Sequence, residues 1–317
     1  MSPVDSAEKK QSVWDIWPKW TSDSQFNTER FRFSGSVSQY DGKTGDATIA
    51  ILKHKQFIEI YREILNENTR FIFEIGFFQG GMPLFLADMS EPAKMTSQSN
   101  AKIVGIDYNP PSETLLKIIK DAGLQNHLKL HGNVLQDDVA GTKLLLDGEF
   151  GNQPLDLIID DCSHEYRNTK ICFQEYFGYL KPGGKYVIED WGWQHWPGEP
   201  WQTDKSHFHG QPGMTNLIFE LVMTLGTSPG VIARVDVVSE FCVVVTRGPK
   251  LAYRERLDLD TAYLTAGRPF TPMVGGLNAK SLLARTGAFP RGVPRNSNEW
   301  SAWVSSAVRK VRKGLGS

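Results

Sequence analysis

The sequence of 317 residues has few of the features of secreted, membrane-spanning or nucleic-acid-binding proteins. It contains three cysteines, Cys162, Cys172 and Cys242, which lack metal-ligand spacing and cannot all pair with one another. We therefore expect a reducing, cytoplasmic setting. The chain shows no apolar run long enough to cross a bilayer and no signal-peptide pattern at its start. The formal net charge of -1 argues against a general nucleic-acid binder.

The apolar content and the two ends of the sequence suggest how the chain is divided. With 40% apolar residues, the chain can bury one substantial core. Residues 1–48 are polar and aromatic, with closely spaced Trp14, Trp17 and Trp20, which predicts an irregular arm or lid. Residues 248–317 form a predicted C-terminal extension ending in WSAWVSSAVRKVRKGLGS. The near-helical spacing of its apolar residues, with basic residues clustered behind them, predicts a basic amphipathic helix. We expect this helix to serve as a docking or oligomer contact, and it could also touch an anionic membrane surface.

Between these segments, strand-like and helix-like stretches alternate, which predicts an α/β fold with a mostly parallel sheet. The apolar runs that fit buried strands are residues 70–75, 102–106, 128–134, 155–159 and 185–188. Residues 48–65 and 214–226 have apolar positions at helical spacing. The runs VIARVDVVS and FCVVVTR then predict a closing β-hairpin.

The stretch from Leu155 to Trp191 carries the acidic residues around which we predict a site. Asp160 and Asp161 follow its first strand, and Glu189 and Asp190 follow its second strand. Parallel strands joined by a helix end at the same edge of a sheet, so the four carboxylates should converge. Burying this much negative charge is costly, so either a cation is bound there or some of the acids are protonated or exposed. A hard divalent ion with oxygen ligands, most naturally magnesium, is the candidate cation. The simpler alternative is that one or two of these acids cap a helix.

Polar residues also follow the earlier strands. The strand at 70–75 leads into GFFQGG, where glycines such as Gly76 and Gly80 permit close approach of the backbone to a ligand. Asp107 follows the next strand and can accept both hydroxyls of a ribose, unless it caps the following helix. Asn133 follows the third strand, where a base could be held. We expect these strand ends to face one cleft.

These motifs resemble class I S-adenosylmethionine-dependent methyltransferases. The motifs are EIGFFQGG, GIDYNP, the HGNV strand end, and the block from IIDDCSHEY to PGGKYVIEDW. The closer likeness is to metal-dependent sugar O-methyltransferases of the mycinamicin and macrocin type, and to the cephalosporin hydroxylase and rhamnosyl O-methyltransferase group. It implies a domain over residues 49–247 with a Rossmann-like, doubly wound sheet of about seven strands, the last one antiparallel. One departure is Phe78, which replaces the middle glycine of E-x-G-x-G-x-G.

The resemblance also implies a role for each site residue. Asp161, Glu189 and Asp190 would hold Mg²⁺, and His164 would be the catalytic base. An alternative alignment, shifted by one residue, has Asp160 as the ligand, and both alignments are kept. The donor S-adenosylmethionine would be held by residues of the strand ends, namely Glu74, Gly76, Gln79, Gly80, Asp107, Asn133 and Asp160. Metal and imidazole would together activate an acceptor hydroxyl.

The acceptor is the least defined part of the prediction. The loop after Asp190 contains Trp191, Trp193, Trp196 and Trp201, which suit either a sugar-ring platform or a loop held down by its own tryptophans. A zinc site at the His207-x-His209 pair is a weak alternative use of this loop. We predict methylation of a sugar hydroxyl on a glycosylated natural product, glycolipid or polysaccharide. The alternatives are a metal-independent methyltransferase, a hydroxylase-like protein of different chemistry, and a nucleoside-binding scaffold without catalysis.

Overall fold

The computed structural model describes residues 17–35, 48–90, 101–198 and 201–264, apart from His54 and Glu67. Trp14 and the predicted C-terminal basic helix lie outside the described residues. The described chain divides into two compact units. One unit contains the residues up to 72 together with 77–133, and the other contains 73–76 together with those from 134 onward.

Strands and helices alternate along most of the described chain. The strands are β1 (Lys19–Trp20), β2 (Gln25–Asn27), β3 (Arg32–Ser34), β4 (Ile49–Ala50), β5 (Phe71–Ile75), β6 (Lys102–Ile106), β7 (Leu128–His131), β8 (Leu155–Asp160), β9 (Leu180–Glu189), β10 (Ile232–Val238) and β11 (Cys242–Arg247). The helices are α1 (Lys55–Ile64), α2 (Gly81–Ser90), α3 (Glu113–Asp121), α4 (Val139–Phe150), α5 (Tyr166–Tyr176), α6 (Thr215–Thr227) and α7 (Leu259–Ala262). Short 3₁₀ turns occupy Phe177–Tyr179 and Trp193–His195.

A seven-stranded sheet has the order β10-β11-β9-β8-β5-β6-β7. Strands β8 and β9 pair in parallel, as do β6 and β7, whereas β11 is antiparallel to both β9 and β10. The predicted α/β fold with an antiparallel last strand is therefore confirmed. The hairpin predicted from the β-rich runs is also confirmed, and β11 lies between β9 and β10.

The continuous apolar character of β8 reflects its place inside the sheet. Every residue of β8 is buried, because the strand has a neighbour on each side and covered faces. Burial of each large apolar side chain contributes about 1.5–3 kcal/mol, which fixes the register of the strand. Strand β9 begins at Leu180, five residues before the predicted start at Lys185. A register irregularity opposite Leu155 and Leu157 accommodates the Pro-Gly-Gly segment within β9.

The N-terminal region differs from the predicted irregular arm, since its described part forms β1, β2 and β3, which join β4 in a four-stranded sheet in the order β1-β2-β3-β4. Phe26 and Phe33 stack at 5.0 Å between ring centroids, and both meet Phe85 of α2 edge-on. Trp17 also packs edge-on against Phe85 at 5.9 Å. These strands are two or three residues long, too short for a period-two pattern to be visible in the sequence.

The first predicted helix is shorter than expected. Helix α1 begins at Lys55, whereas Ile49 and Ala50 form β4 and pair in parallel with β3. The apolar residues before Lys55 thus complete a sheet and do not extend the helix. Among the described helices, none combines the length and apolar character that crossing a bilayer would require.

Candidate functional site

The loop after β8 is held close to the end of β5 in the same unit. The Asp161 N–H donates a hydrogen bond to the Ile75 carbonyl oxygen at 2.9 Å. Gly76 follows with φ +91°, and a Cβ at this position would lie 2.2 Å from the Asp161 carbonyl oxygen. Glycine is therefore required both for the backbone conformation and for the close approach. The structure thus places Gly76 against the backbone of Asp161, and its approach to a ligand stays a prediction.

Asp161, His164 and Asp190 form one group of side chains, whose nearest ligand atoms all lie within 4.8 Å of one another. His164 Nε2 is 3.9 Å from Asp161 Oδ1. The imidazole is 8% exposed, and both carboxylates are half-buried. Three of the four residues predicted for metal binding and catalysis are thus brought together.

Two members of this group have an unusual backbone conformation. His164 has φ +55° and Asp190 has φ +52°, in the left-handed region that residues other than glycine seldom adopt. Each such residue costs of order 1–3 kcal/mol, and this strain is found preferentially at functional sites. The Asp190 N–H donates to the Phe241 carbonyl oxygen at 2.7 Å, which holds this strained turn against the start of β11.

Glu189, the remaining predicted ligand, is not a member of this group. It is the last residue of β9, is 1% exposed and pairs with Cys242 of β11. Successive side chains along a strand alternate between its two faces, so the adjacent acids Glu189 and Asp190 need not meet one ion. In the structure Glu189 is buried, whereas Asp190 is half-buried.

Asp160 lies in the interior beneath the loop. Its Oδ1 accepts a hydrogen bond from Gln136 Nε2, and its Oδ2 accepts one from the Tyr186 hydroxyl, each at 3.0 Å. Burial raises the pKa of Asp160 to about 7, although the Tyr186 hydrogen bond opposes this shift; the charge of Asp161 adds to it. Sequence reasoning missed Gln136 and Tyr186. The signal for Tyr186 was a hydroxyl within an otherwise apolar strand.

In the other unit, the Asp107 carboxylate is oriented by two backbone donors. Its Oδ2 accepts the Phe78 N–H at 2.8 Å, and its Oδ1 accepts the Asn109 N–H at 2.7 Å. Ser112 caps α3, so Asp107 is not the cap of that helix. Phe78, at the position of the family's middle glycine, has φ +49° and is 44% exposed. Its backbone keeps a conformation that glycine adopts without strain.

The other residues predicted for the donor site lie on β5 and in the turns after β5 and β7. Glu74 is buried on β5, and Gln79 is half-buried in the turn after it. Gly80 has φ +77°, and a Cβ there would lie 2.2 Å from Leu115 Cδ2. Asn133 is exposed with φ +59°, and its N–H donates to the Tyr108 carbonyl oxygen at 3.1 Å.

The aromatic loop after Asp190 packs partly on itself. Trp193, Trp196 and Trp201 have ring centroids 5.1–6.2 Å apart. The Trp193 ring also lies against the His164 imidazole, with 4.4 Å between centroids. His164 therefore has an aromatic neighbour that sequence reasoning did not assign to it.

Residues 73–191 match the model of a protein family described as a methyltransferase domain. This match covers more than a third of the chain and includes the turns and the side-chain group described above. It confirms the predicted resemblance to methyltransferases.

Two curated relatives are similar to a shorter stretch. Mycinamicin VI 2''-O-methyltransferase of Micromonospora griseorubida is 40% identical over 57 residues, which is 18% of this chain and 14% of the relative. Demethylmacrocin O-methyltransferase of Streptomyces fradiae is 38% identical over 64 residues, 20% of this chain and 15% of the relative. The chain thus aligns with about one seventh of the length of these curated relatives.

A solved structure, the MycE methyltransferase from the mycinamycin biosynthetic pathway in complex with Mg, SAH and mycinamycin VI, is 20% identical to this chain. The match covers 61% of this chain and 49% of that one, with a TM-score of 0.43.

Proposed function

We propose that this protein is an S-adenosylmethionine-dependent O-methyltransferase that methylates a sugar hydroxyl with the assistance of a divalent cation. The acceptor would be a glycosylated natural product, a glycolipid or a polysaccharide. The observation that carries the proposal is the group formed by Asp161, His164 and Asp190, within the segment that matches a methyltransferase domain. Residues 49–247 would form the catalytic domain.

The donor atoms of this group fit a divalent cation. The carboxylates of Asp161 and Asp190 supply the oxygen ligands that Mg²⁺ prefers, and their nearest ligand atoms lie within 4.8 Å of each other and of a ring nitrogen of His164. Asp161 and Asp190 would hold the ion. Glu189 stays a predicted third ligand, and Asp161 is favoured over Asp160 as the first ligand because both oxygens of Asp160 already accept hydrogen bonds. A bound Mg²⁺ would lower the pKa of a coordinated acceptor hydroxyl.

The residues of the chain would then perform three tasks. His164, beside Asp161, would take the proton of the acceptor hydroxyl at the ring nitrogen nearer to Asp161. The acceptor oxygen forms its bond to the methyl carbon while the sulfur–methyl bond breaks, and the electron pair stays on sulfur. Asp107, fixed by two backbone N–H groups, would accept the ribose hydroxyls of the donor.

Calorimetry and a methyl-transfer assay test this proposal. We expect the protein to bind S-adenosylhomocysteine, and to transfer a labelled methyl group to a set of glycosylated acceptors in a reaction that EDTA stops and Mg²⁺ restores. Activity that persists in EDTA would favour the metal-independent alternative. Failure to bind S-adenosylhomocysteine would refute the proposal.

Variants separate the roles of the acids. In a Mn²⁺ titration followed by water-proton relaxation, Asp161→Asn and Asp190→Asn should weaken binding at least tenfold, whereas the exposed Asp121→Asn should not. Glu189→Gln shows whether the buried acid joins the site. His164→Gln should abolish turnover and leave donor binding intact, and normal turnover at neutral pH would contradict its role as base.

A further inference from the structure

We propose that Trp193 is a positioning residue for His164, so that the aromatic loop holds the imidazole in place. The inference deepens the proposed function, in which His164 is the base. It rests on the contact between the two rings and on the hydrogen bonds made by Trp193 and by its neighbours Trp191 and Gln194.

His164 contacts a residue outside its own loop. The residue has φ +55°, and the following helix α5 starts at Tyr166 with Glu165 as an N-cap that makes no side-chain capping bond. The Trp193 ring lies 4.4 Å from the imidazole between centroids, with 56° between the ring planes. This large, rigid neighbour covers one side of a ring that is 8% exposed.

The same residue is tied to the metal-ligand candidate Asp190. The Trp193 N–H donates to the Asp190 carbonyl oxygen at 3.2 Å, and the Asp190 N–H donates to the Phe241 carbonyl oxygen at 2.7 Å. The backbone therefore links the start of β11, Asp190 and Trp193, and the indole extends this link to His164. Two members of the side-chain group thus share one support.

The loop around Trp193 is anchored at both ends. Before it, Trp191 Nε1 donates to the Ser239 carbonyl oxygen at 2.8 Å, and a Cβ at Gly192 would lie 2.8 Å from Glu240 Cβ. After it, Gln194 Oε1 accepts the Met214 N–H at 2.6 Å. The indole therefore has a defined place from which to hold the imidazole.

A change at Trp193 should affect the reaction rate more than binding. A displacement of about 1 Å in a catalytic group can lower the rate about 100-fold, even when the altered residue does not touch the substrate. We expect Trp193→Leu to lower kcat by about 10- to 100-fold, with the affinity for S-adenosylhomocysteine unchanged. Trp193→Phe retains an aromatic ring and should recover a large part of the rate.

Nuclear magnetic resonance of the metal-free full chain tests the contact without reference to activity. The ring protons of His164 are assigned by their loss in His164→Gln. We expect Trp193→Leu to move these signals, because the ring current of the indole is removed. The matched control is Phe208→Leu, which removes a buried aromatic ring from the same loop; Phe208 packs on Trp201 and His207.

The outcomes separate this inference from the proposed function. The inference would be overturned if Trp193→Leu left both the His164 signals and kcat unchanged. It would also be overturned if Phe208→Leu lowered kcat as much as Trp193→Leu does and Trp193→Phe recovered none of the rate. If the wild-type protein neither binds S-adenosylhomocysteine nor transfers a methyl group, the proposed function fails. The His164 signals would still show whether Trp193 holds the imidazole.

Discussion

Replacement of Gly76 by alanine should damage stability and cation binding together. A Cβ at this position would lie 2.2 Å from the Asp161 carbonyl oxygen and 2.8 Å from its carbonyl carbon. Alanine would also have to adopt φ +91°, and a left-handed conformation costs about 1–2 kcal/mol for a residue with a side chain. With the steric overlap added, we expect the free energy of unfolding to fall by about 3 kcal/mol or more.

Gly123 provides the control for this experiment. It has φ +71°, and a Cβ there would meet no atom of the described residues within 4 Å. Gly123→Ala should therefore cost only the conformational part, about 1–2 kcal/mol. Since 1 kcal/mol corresponds to about 1.5 °C in Tm for a chain of this length, thermal unfolding should distinguish the variants.

The cation titration supplies the second measurement. The added methyl group of Gly76→Ala would displace the backbone of Asp161 and with it the carboxylate. We therefore expect Mn²⁺ binding to weaken about 10- to 100-fold, as it does when a residue that orients a metal ligand is removed. Gly123→Ala should bind Mn²⁺ like the wild type. The reasoning would be refuted if Gly76→Ala lost no more stability than Gly123→Ala and retained the wild-type Mn²⁺ affinity.

Three further predictions concern the polar contacts around the site. Burial opposes ionisation of Glu175, but its hydrogen bonds to a lysine and an arginine hold its pKa below the ordinary value. The stability that this carboxylate contributes should therefore be lost as the pH falls through the lowered pKa. When stability is measured by urea unfolding at a series of pH values, Glu175→Gln should reduce the pH dependence in this range. Tyr186→Phe removes a donor from buried Asp160 and should lower the free energy of unfolding by about 1–3 kcal/mol in the same assay. Lys170→Met leaves Glu220 buried without that cation and should cost about 3 kcal/mol, much of which the double variant with Glu220→Gln should restore in thermal unfolding.

The sheet could be predicted because its signal is local. The apolar runs that became β5, β6 and β8 are short, continuous and bounded by polar residues, as expected for strands covered on both faces. The N-terminal sheet could not be predicted in this way. Its stability depends on Phe26 and Phe33 meeting Phe85 from a distant helix, and sequence periodicity does not record such contacts.

The candidate site was predictable in part. Spacing and resemblance indicated Asp161, His164 and Asp190, which the structure brings together. They did not show that the adjacent acid Glu189 would not be a member of this group, because this depends on the orientation of the last residues of β9. The dependence of Asp161 on Gly76 joins positions 85 residues apart and becomes visible once the chain is folded.

The position of β11 bears on the order in which the site assembles during synthesis. Asp190 leaves the ribosome some 50 residues before its backbone partner Phe241, at a synthesis rate of about 5–20 residues per second. Until that partner arrives, the nascent chain has no neighbour on the β10 side of β9, and the turn at Asp190 lacks its anchor. A polypeptide halted before the final hairpin would thus contain all three residues of the group and lack the backbone hydrogen bond that anchors one of them.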